Sequence, residues 1–232
     1  MSTEEALAAV RPKLAIALDV DDLILARRLA ASVSDYFGVA KVGLELFSAA
    51  GPEAIGVMHD LGMDVFLDVK LHDIPNTVGK AGRVMGALGA KYLTMHARGG
   101  EDMLKAGVEG LNAGAEAAGL DAPIGLAVTV LTSDPGAPAH IVPRRLRMAM
   151  ASGCGGIVCA AEDLSDARTI APRLIRVVPG IRPEGVAVDD QARSATPQAA
   201  LDGGADLLVI GRAVTNADDP EEAAAMLALS LT

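Results

Sequence analysis

Aromatic residues are nearly absent from this 232-residue sequence: they make up 2% of the chain, and there is no tryptophan. Proteins that bind single-stranded nucleic acid stack the bases on aromatic side chains, so this composition argues against such a platform. The formal net charge of −10 argues against non-specific binding to nucleic acid or to an anionic membrane surface. We therefore expect no nucleic-acid and no membrane partner, and an anionic ligand would need a local cluster of cationic donors.

Cysteines and long apolar runs are scarce as well. The two cysteines, Cys154 and Cys159, match no zinc spacing and form no disulfide framework, which favours two buried residues in a reducing compartment. No set of His, Asp and Glu residues has metal-site spacing, and His96 is interpreted as a core histidine rather than a pocket residue. No apolar run approaches the roughly 20 residues of a membrane span, and the N-terminal segment is acidic where a signal peptide would be basic. These features predict a cytoplasmic protein without a metal.

The sequence does contain a regular alternation of short β-rich runs and alanine-rich helical stretches. Eight runs are predicted to be strands: 14–20, 39–43, 64–70, 91–96, 124–130, 156–160, 174–180 and 206–211. Clear helical periodicity lies between them, at 23–33, 51–62, 76–90 and 99–118. Eight βα units in about 230 residues predict an α/β fold, a (β/α)8 TIM barrel that forms a single domain over residues 1–232. The alternative is an open doubly wound sheet, but the G-x-G-x-x-G motif common in that fold does not follow the first strand.

Charged residues collect at the ends of three neighbouring strands. Asp68 and Lys70 are two positions apart and so point to the same side of strand three, and Asp73 follows in the loop. Asp19 lies near the end of strand one, and Lys41 lies inside strand two. Charges rarely enter a barrel unless they are paired or used, and a buried ion network that fixes strand register is one interpretation. Because all of them lie at the face where barrels carry their active sites, a catalytic role is favoured.

A second constellation follows strands seven and eight, which is the usual phosphate site of such barrels. Gly211 allows close backbone approach to an anion, and Arg212 supplies a planar guanidinium for phosphate oxygens. Arg182 and Gln191, in the loop after strand seven, add further donors.

Two long irregular stretches, 131–143 and 179–197, also follow strands and are predicted to be lids over the site. Thr132 begins the first of them and could bind a polar ligand. A helix is expected after strand eight, starting near Asn216 or Asp218.

Six segments resemble the bacterial-type orotidine 5′-phosphate decarboxylase family. They are VAKVGLELF (39–47), DVKLHDIPNT (68–77), AVTVLTS (127–133), PGIRP (179–183), DQARSATP (190–197) and VIGRAVT (209–215). The resemblance implies an enzyme that removes CO2 from orotidine 5′-monophosphate to give UMP, the last step of de novo pyrimidine synthesis. It also implies that the enzyme needs no metal or organic cofactor, and that it is a homodimer with active sites shared across the interface.

The resemblance further implies a role for individual residues. Lys41, Asp68, Lys70 and Asp73 would form a catalytic tetrad, with Asp73 reaching into the partner subunit's site. The substrate contacts would be Asp19 and Lys41 on the ribose, Thr77 beside Asp73, Thr132 at the pyrimidine, and Arg182, Gln191, Gly211 and Arg212 on the phosphate. The Lys70 ammonium would stabilise the carbanion left at C6 and then protonate it.

Two other functions remain open at this point. A Mg²⁺-dependent sugar-phosphate decarboxylase or aldolase of the same suprafamily shares the DxKxxD pattern, but HDIPNT and PGIRP favour the orotidine branch. A non-catalytic barrel that binds a nucleotide would keep the phosphate donors, but it would not need Lys70 and both aspartates.

Overall fold

Eight parallel strands close into a barrel in the computed structural model, which describes residues 2–131, 137–183 and 195–232. The strands run in sequence order around the barrel, and β1 also pairs with β8. They are β1 (Leu14–Ala17), β2 (Val39–Gly43), β3 (Asp64–Leu71), β4 (Tyr92–His96), β5 (Ile124–Val128), β6 (Gly156–Val158), β7 (Ile175–Val178) and β8 (Leu207–Ile210). The predicted (β/α)8 barrel is confirmed.

Helices cover the outside of the barrel. Their described members are α1 (Thr3–Val10), α2 (Leu23–Val33), α3 (Leu44–Ala50), α4 (Glu53–Asp60), α5 (Pro75–Ala87), α6 (Glu101–Ala117), α7 (Ile141–Ala151), α8 (Leu164–Ile170), α9 (Pro197–Asp202), α10 (Arg212–Thr215) and α11 (Pro220–Leu229). No helix in these described ranges is both long and apolar enough to cross a membrane.

The barrel has two apolar layers, because successive side chains of a strand point to opposite faces. Phe66 points inward, where its ring meets the Tyr92 ring edge-on with centroids 6.0 Å apart. Val65 and Leu67 point outward and pack under the helices. The inner layer fills the barrel, so the free space lies above it, at the carboxyl ends of the strands.

Several strands end earlier than predicted. β1, β5 and β6 stop at Ala17, Val128 and Val158, whereas the predicted strands ran to 20, 130 and 160. The apolar residues beyond these ends stay buried, as Val130 and Cys159 do. Val130 and Cys159 line the cavity instead of extending a strand.

Helices α5 and α6 touch backbone to backbone through glycines. A Cβ atom placed on Gly82 would lie 2.8 Å from the carbonyl oxygen of Gly107, closer than real Cβ contacts allow. A Cβ on Gly110 would overlap the carbonyl oxygen of Gly79. This contact fixes α5, the helix that follows the charged end of β3.

Candidate active site

A cavity of about 670 Å³ opens at the carboxyl ends of the strands. That volume lies within the range of small-molecule sites in proteins. The described residues around it include an apolar wall and a set of charged and backbone groups. The apolar wall includes Ala17, Phe66, Val128, Val158 and Val209; the charged and backbone groups include Asp19, Lys41, Asp68, Lys70, Arg182, Gly211 and Arg212.

Charges of alternating sign run along one side of the cavity. Lys41 Nζ lies 2.7 Å from Asp19 Oδ1 and 3.9 Å from Asp68 Oδ2. Lys70 Nζ donates to both Asp68 oxygens at 2.8 Å. The Lys70 side chain is 32% exposed, whereas that of Asp68 is 13% exposed. Both side chains line the cavity, and the terminal ammonium of the series is the more exposed of the two.

The strand register explains why these charges meet. Ala17 pairs with Lys41, and Gly43 pairs with Asp68, so the ends of β1, β2 and β3 lie side by side. A Cβ atom on Gly43 would come within 2.9 Å of Asp19 Oδ1 and 3.0 Å of Lys41 Nζ. Glycine at this position leaves the room that the ion pair occupies.

The end of β3 departs from a regular strand at Lys70. Between Leu67 and Leu71 the chain advances four residues, while the paired stretch of β4 advances two, from Leu93 to Met95. Lys70 has φ 47°, and it is the one non-glycine residue with positive φ in the described ranges. A left-handed conformation costs a non-glycine residue about 1–2 kcal/mol, and such strain collects at functional sites.

Thr94 of β4 contacts this irregular segment and was not singled out from the sequence. Its hydroxyl accepts a hydrogen bond from the Lys70 backbone N–H at 2.9 Å and donates to Asp68 Oδ1 at 2.9 Å. Thr94 is fully buried. The sequence carries only a weak signal for it, a threonine at an inward position of β4 between Tyr92 and His96.

The opposite side of the cavity carries two arginines. Arg182 is buried, and its backbone N–H donates to Ala195 O at 2.9 Å, which joins the two ends of the loop after β7. Arg212 is exposed and follows Gly211 directly after β8. Both arginines line the cavity together with Gly211.

Two helices follow β8, where one was expected to start near Asn216 or Asp218. α10 starts at Arg212, because the backbone N–H groups of Val214 and Thr215 donate to Gly211 O at 2.8 and 3.1 Å. A separate helix, α11, starts at Pro220. The predicted start near Asp218 thus lies two residues before α11, whereas α10 was not predicted and places Arg212 in the first turn of a short helix.

Asp73 and Thr77 are exposed and are not among the described residues that line the cavity. Asp73 Oδ1 accepts the backbone N–H of Ile74 at 2.7 Å, at the start of α5. Thr132 and Gln191 lie outside the described residues. The structure thus brings Asp19, Lys41, Asp68 and Lys70 together and leaves Asp73 and Thr77 on the surface of their own chain.

Neither the cysteines nor His96 supply an obvious reactive group. Burial raises the pKa of Cys154 and of Cys159 to about 12, which keeps both thiols protonated at neutral pH. His96 is half-buried rather than in the core as predicted, and its Nδ1 accepts from Arg98 N–H at 3.2 Å. Burial lowers the pKa of His96, and neighbouring Arg145 adds to that effect.

Within the described residues, no group of three or more His, Cys, Asp or Glu side chains could hold a metal ion.

Together these features define the class of protein: an enzyme built on a (β/α)8 barrel, with a charged small-molecule cavity at the carboxyl ends of its strands. Residues 12–227 match the profile of the Orotidine 5′-phosphate decarboxylase / HUMPS family, and the chain belongs to that family. The family predicted from the sequence motifs is confirmed.

Individual relatives are similar over nearly their full length. The orotidine 5′-phosphate decarboxylase of Anaeromyxobacter sp. (strain K) is 44% identical, with 94% of this chain and 98% of that protein covered. The protein of the same name from Halorhodospira halophila is 43% identical, with 95% and 96% covered. A crystal structure of orotidine 5′-phosphate decarboxylase from Lactobacillus acidophilus superimposes with a TM-score of 0.79 at 36% identity, covering 94% of this chain and 97% of that one.

Proposed function

We propose that this chain converts orotidine 5′-monophosphate into UMP and CO2, the last step of de novo UMP synthesis, and needs no metal or organic cofactor. Residues 1–232 form a single catalytic domain in this proposal. The observation that carries the proposal is the Lys70 ammonium, held 2.8 Å from both Asp68 oxygens and facing the cavity.

The chemistry requires stabilisation of a localised anion. When the bond between C6 and the carboxylate breaks, its electron pair stays on C6 in the ring plane, where the π system cannot delocalise it. Lys70 stabilises that charge as an ammonium and then transfers a proton from Nζ to C6. The amine regains a proton from solvent before the next turnover.

Asp68 acts mainly by holding Lys70. A carboxylate about 4 Å from the substrate carboxylate would repel it by about 4 kcal/mol at an effective dielectric of 20. Asp68, however, has Lys70 Nζ at 2.8 Å and Lys41 Nζ at 3.9 Å, and these cations offset its charge. Positioning and electrostatic stabilisation by Lys70 therefore outweigh repulsion by Asp68.

The remaining substrate contacts form two groups, one for the nucleoside and one for the phosphate. Asp19 and Lys41 bind the ribose hydroxyls, and Thr132 borders the pyrimidine. Arg182 and Arg212, with Gly211 and Gln191, hold the phosphate on the other side. Among the described lining residues, four cationic side chains accompany two carboxylates. This local excess of positive charge offsets the net charge of −10 and favours a trianionic substrate.

Asp73 and Thr77 act in the site of a partner subunit, which makes the enzyme a homodimer. Their exposure at the rim of the barrel supports this assignment, as does the neighbouring Ile74, an apolar side chain that is 64% exposed on the single chain. An exposed apolar side chain beside polar groups is typical of an interface. The cytoplasmic location, and the lack of nucleic-acid and membrane partners, stay predictions from composition.

The activity is tested by the absorbance change when orotidine 5′-monophosphate is mixed with the protein in EDTA. Turnover in EDTA is expected, and Lys70→Ala should abolish it while the protein stays folded. The matched control is Lys105→Ala, which removes an exposed lysine on α6 and should leave turnover unchanged. Near-normal kcat in Lys70→Ala would remove Lys70 from the chemistry.

The shared site is tested separately by mixing inactive Asp73→Ala and Lys70→Ala proteins. Subunit exchange creates one site with an intact Lys70 and an intact partner Asp73, so part of the activity should return. No recovery, after exchange has been demonstrated with labelled subunits, would contradict donation across the interface.

The family description names HUMPS beside orotidine 5′-phosphate decarboxylase, and the same assay tests the Mg²⁺-dependent alternative. A protein of that kind would lose activity in EDTA and regain it with Mg²⁺. A non-catalytic barrel would bind UMP and leave the absorbance of orotidine 5′-monophosphate unchanged.

A further inference from the structure

We propose that Thr94 is a positioning residue for the reaction, and that its hydroxyl fixes both the backbone of Lys70 and the carboxylate of Asp68. This inference rests on the role proposed above for Lys70. Thr94 acts through these two residues, because it is fully buried and is not among the described residues that line the cavity.

The first part of the argument concerns the Lys70 backbone. The register shift at the end of β3 moves this segment out of regular pairing with β4. The Lys70 N–H donates instead to the Thr94 hydroxyl at 2.9 Å. A part-buried N–H without an acceptor is costly. The Thr94 hydroxyl therefore takes the place of the backbone oxygen of β4 that would accept this hydrogen bond in a regular strand pair. Thr94 thereby supports the positive φ of 47° at Lys70.

The second part concerns the Asp68 carboxylate. The Thr94 hydroxyl has one proton, and it donates this proton to Asp68 Oδ1 at 2.9 Å. The same oxygen accepts from Lys70 Nζ at 2.8 Å. The hydroxyl therefore closes a ring of hydrogen bonds, in which one threonine connects the backbone of Lys70 to the carboxylate that holds the Lys70 ammonium. Donors and acceptors of fixed geometry contribute most to transition-state stabilisation when they need no rearrangement during the reaction.

The chain offers a matched control in Thr129, just beyond the end of β5. It is also fully buried, and its hydroxyl donates to a backbone oxygen, Val158 O, at 2.8 Å. Like Thr94→Val, Thr129→Val removes a buried threonine hydroxyl, but it breaks one hydrogen bond where Thr94→Val breaks two, and it touches neither Asp68 nor Lys70. The Val158 oxygen keeps the Thr129 backbone N–H as a donor at 3.0 Å.

The experiment compares kcat and KM of Thr94→Val, Thr94→Ser and Thr129→Val, assayed well below their melting temperatures. Loss of hydrogen bonds to a charged carboxylate and a constrained backbone predicts a kcat about 10- to 100-fold lower in Thr94→Val. KM should change by less than about threefold, because phosphate contacts on the other side of the cavity are intact. Thr94→Ser keeps the hydroxyl and should hold kcat within about threefold of the parent, as should Thr129→Val. Thr94→Ala removes the same hydroxyl should Thr94→Val fold poorly.

The outcomes separate this inference from the proposed function. If Lys70→Ala is inactive while Thr94→Val and Thr94→Ala keep kcat within about threefold, the positioning role of Thr94 is refuted and that of Lys70 stands. An equal loss of kcat in Thr129→Val, or no recovery in Thr94→Ser, would show that Thr94 only contributes to packing. Full activity in Lys70→Ala would instead remove Lys70 from the chemistry and this inference with it, whereas no turnover of orotidine 5′-monophosphate by the parent protein would refute the proposed function.

Discussion

Replacing Gly110 with alanine tests the close contact of α5 with α6. In a free helix this change is stabilising by about 0.5–1 kcal/mol, because glycine loses more conformational freedom on folding than alanine does. Here the new methyl group would overlap the carbonyl oxygen of Gly79, which belongs to the backbone and cannot rotate away. One helix must move for the side chain to fit.

The change in stability is the steric cost of the new methyl group minus the gain in helix propensity. An extra methyl group in a well-packed contact costs about 1–3 kcal/mol, and a rigid neighbour places this case at the upper end. After subtraction of the helix-propensity gain, the free energy of unfolding should fall by about 2 kcal/mol. For a chain of this length, about 1 kcal/mol corresponds to about 2–4 °C, so Tm should fall by about 4–8 °C.

Gly56 on α4 supplies the control, because a Cβ there would meet nothing within 4 Å. Gly56→Ala should raise Tm slightly, so the same chemical change is expected to have opposite signs at two helix positions. The assay is thermal unfolding followed by circular dichroism at one protein concentration, since the Tm of an oligomer depends on concentration. A Tm of Gly110→Ala equal to or above that of the parent would refute the close backbone contact.

Three further predictions concern the site and its surroundings. Arg212→Ala should raise KM about 10-fold or more with a smaller change in kcat, and steady-state kinetics with neither constant altered would contradict phosphate binding there. Because burial raises the pKa of Cys154 and Cys159 to about 12, iodoacetamide at about pH 8 should label neither thiol in the native protein and both in denaturant; mass spectrometry that finds native labelling would contradict this. Burial lowers the pKa of His96 from 6.5, so the unfolded chain binds this proton more readily and stability falls as the pH drops below about 6.5. The Tm loss between about pH 7.5 and about pH 5.5 should therefore be smaller in His96→Gln than in the parent, whereas His140→Gln, at an exposed position, should behave like the parent.

The barrel was predictable because its pattern is repeated and local. Each β-rich run and the helical stretch that follows it carry their own periodicity, so eight repeats reinforce one interpretation. Strand ends were less predictable, since Val130 and Cys159 are apolar and buried whether they extend a strand or line a cavity. The N-terminal helix α1 was missed although Ser2 and Glu5 form a capping box that the sequence displays.

The charged residues of the site were predictable for a different reason. Charges are rare in barrel strands, so Lys41, Asp68 and Lys70 stand out in apolar runs. Thr94 does not stand out, because threonine is common in strands and its hydroxyl becomes informative only when its partners are known. The left-handed backbone at Lys70 was also hidden, since it depends on a register shift against β4 that only the pairing of two strands reveals.

The paired lysines on one side of the cavity and the arginines on the other side are suited to different tasks, the first to the reaction and the second to substrate binding. Lys41 and Lys70 are already paired with Asp19 and Asp68, so they attract the ground-state substrate less than free ammoniums would. A free ammonium beside the substrate carboxylate would stabilise the reactant as well as the transition state and so would not lower the barrier. In the proposed mechanism, the paired Lys70 ammonium becomes most effective when negative charge develops at C6, because the new anion lies at the reacting carbon instead of on the departing CO2. In the proposed mechanism, the attraction for the trianionic substrate comes from Arg182 and Arg212 across the cavity, and the energy of phosphate binding holds the pyrimidine against Lys70.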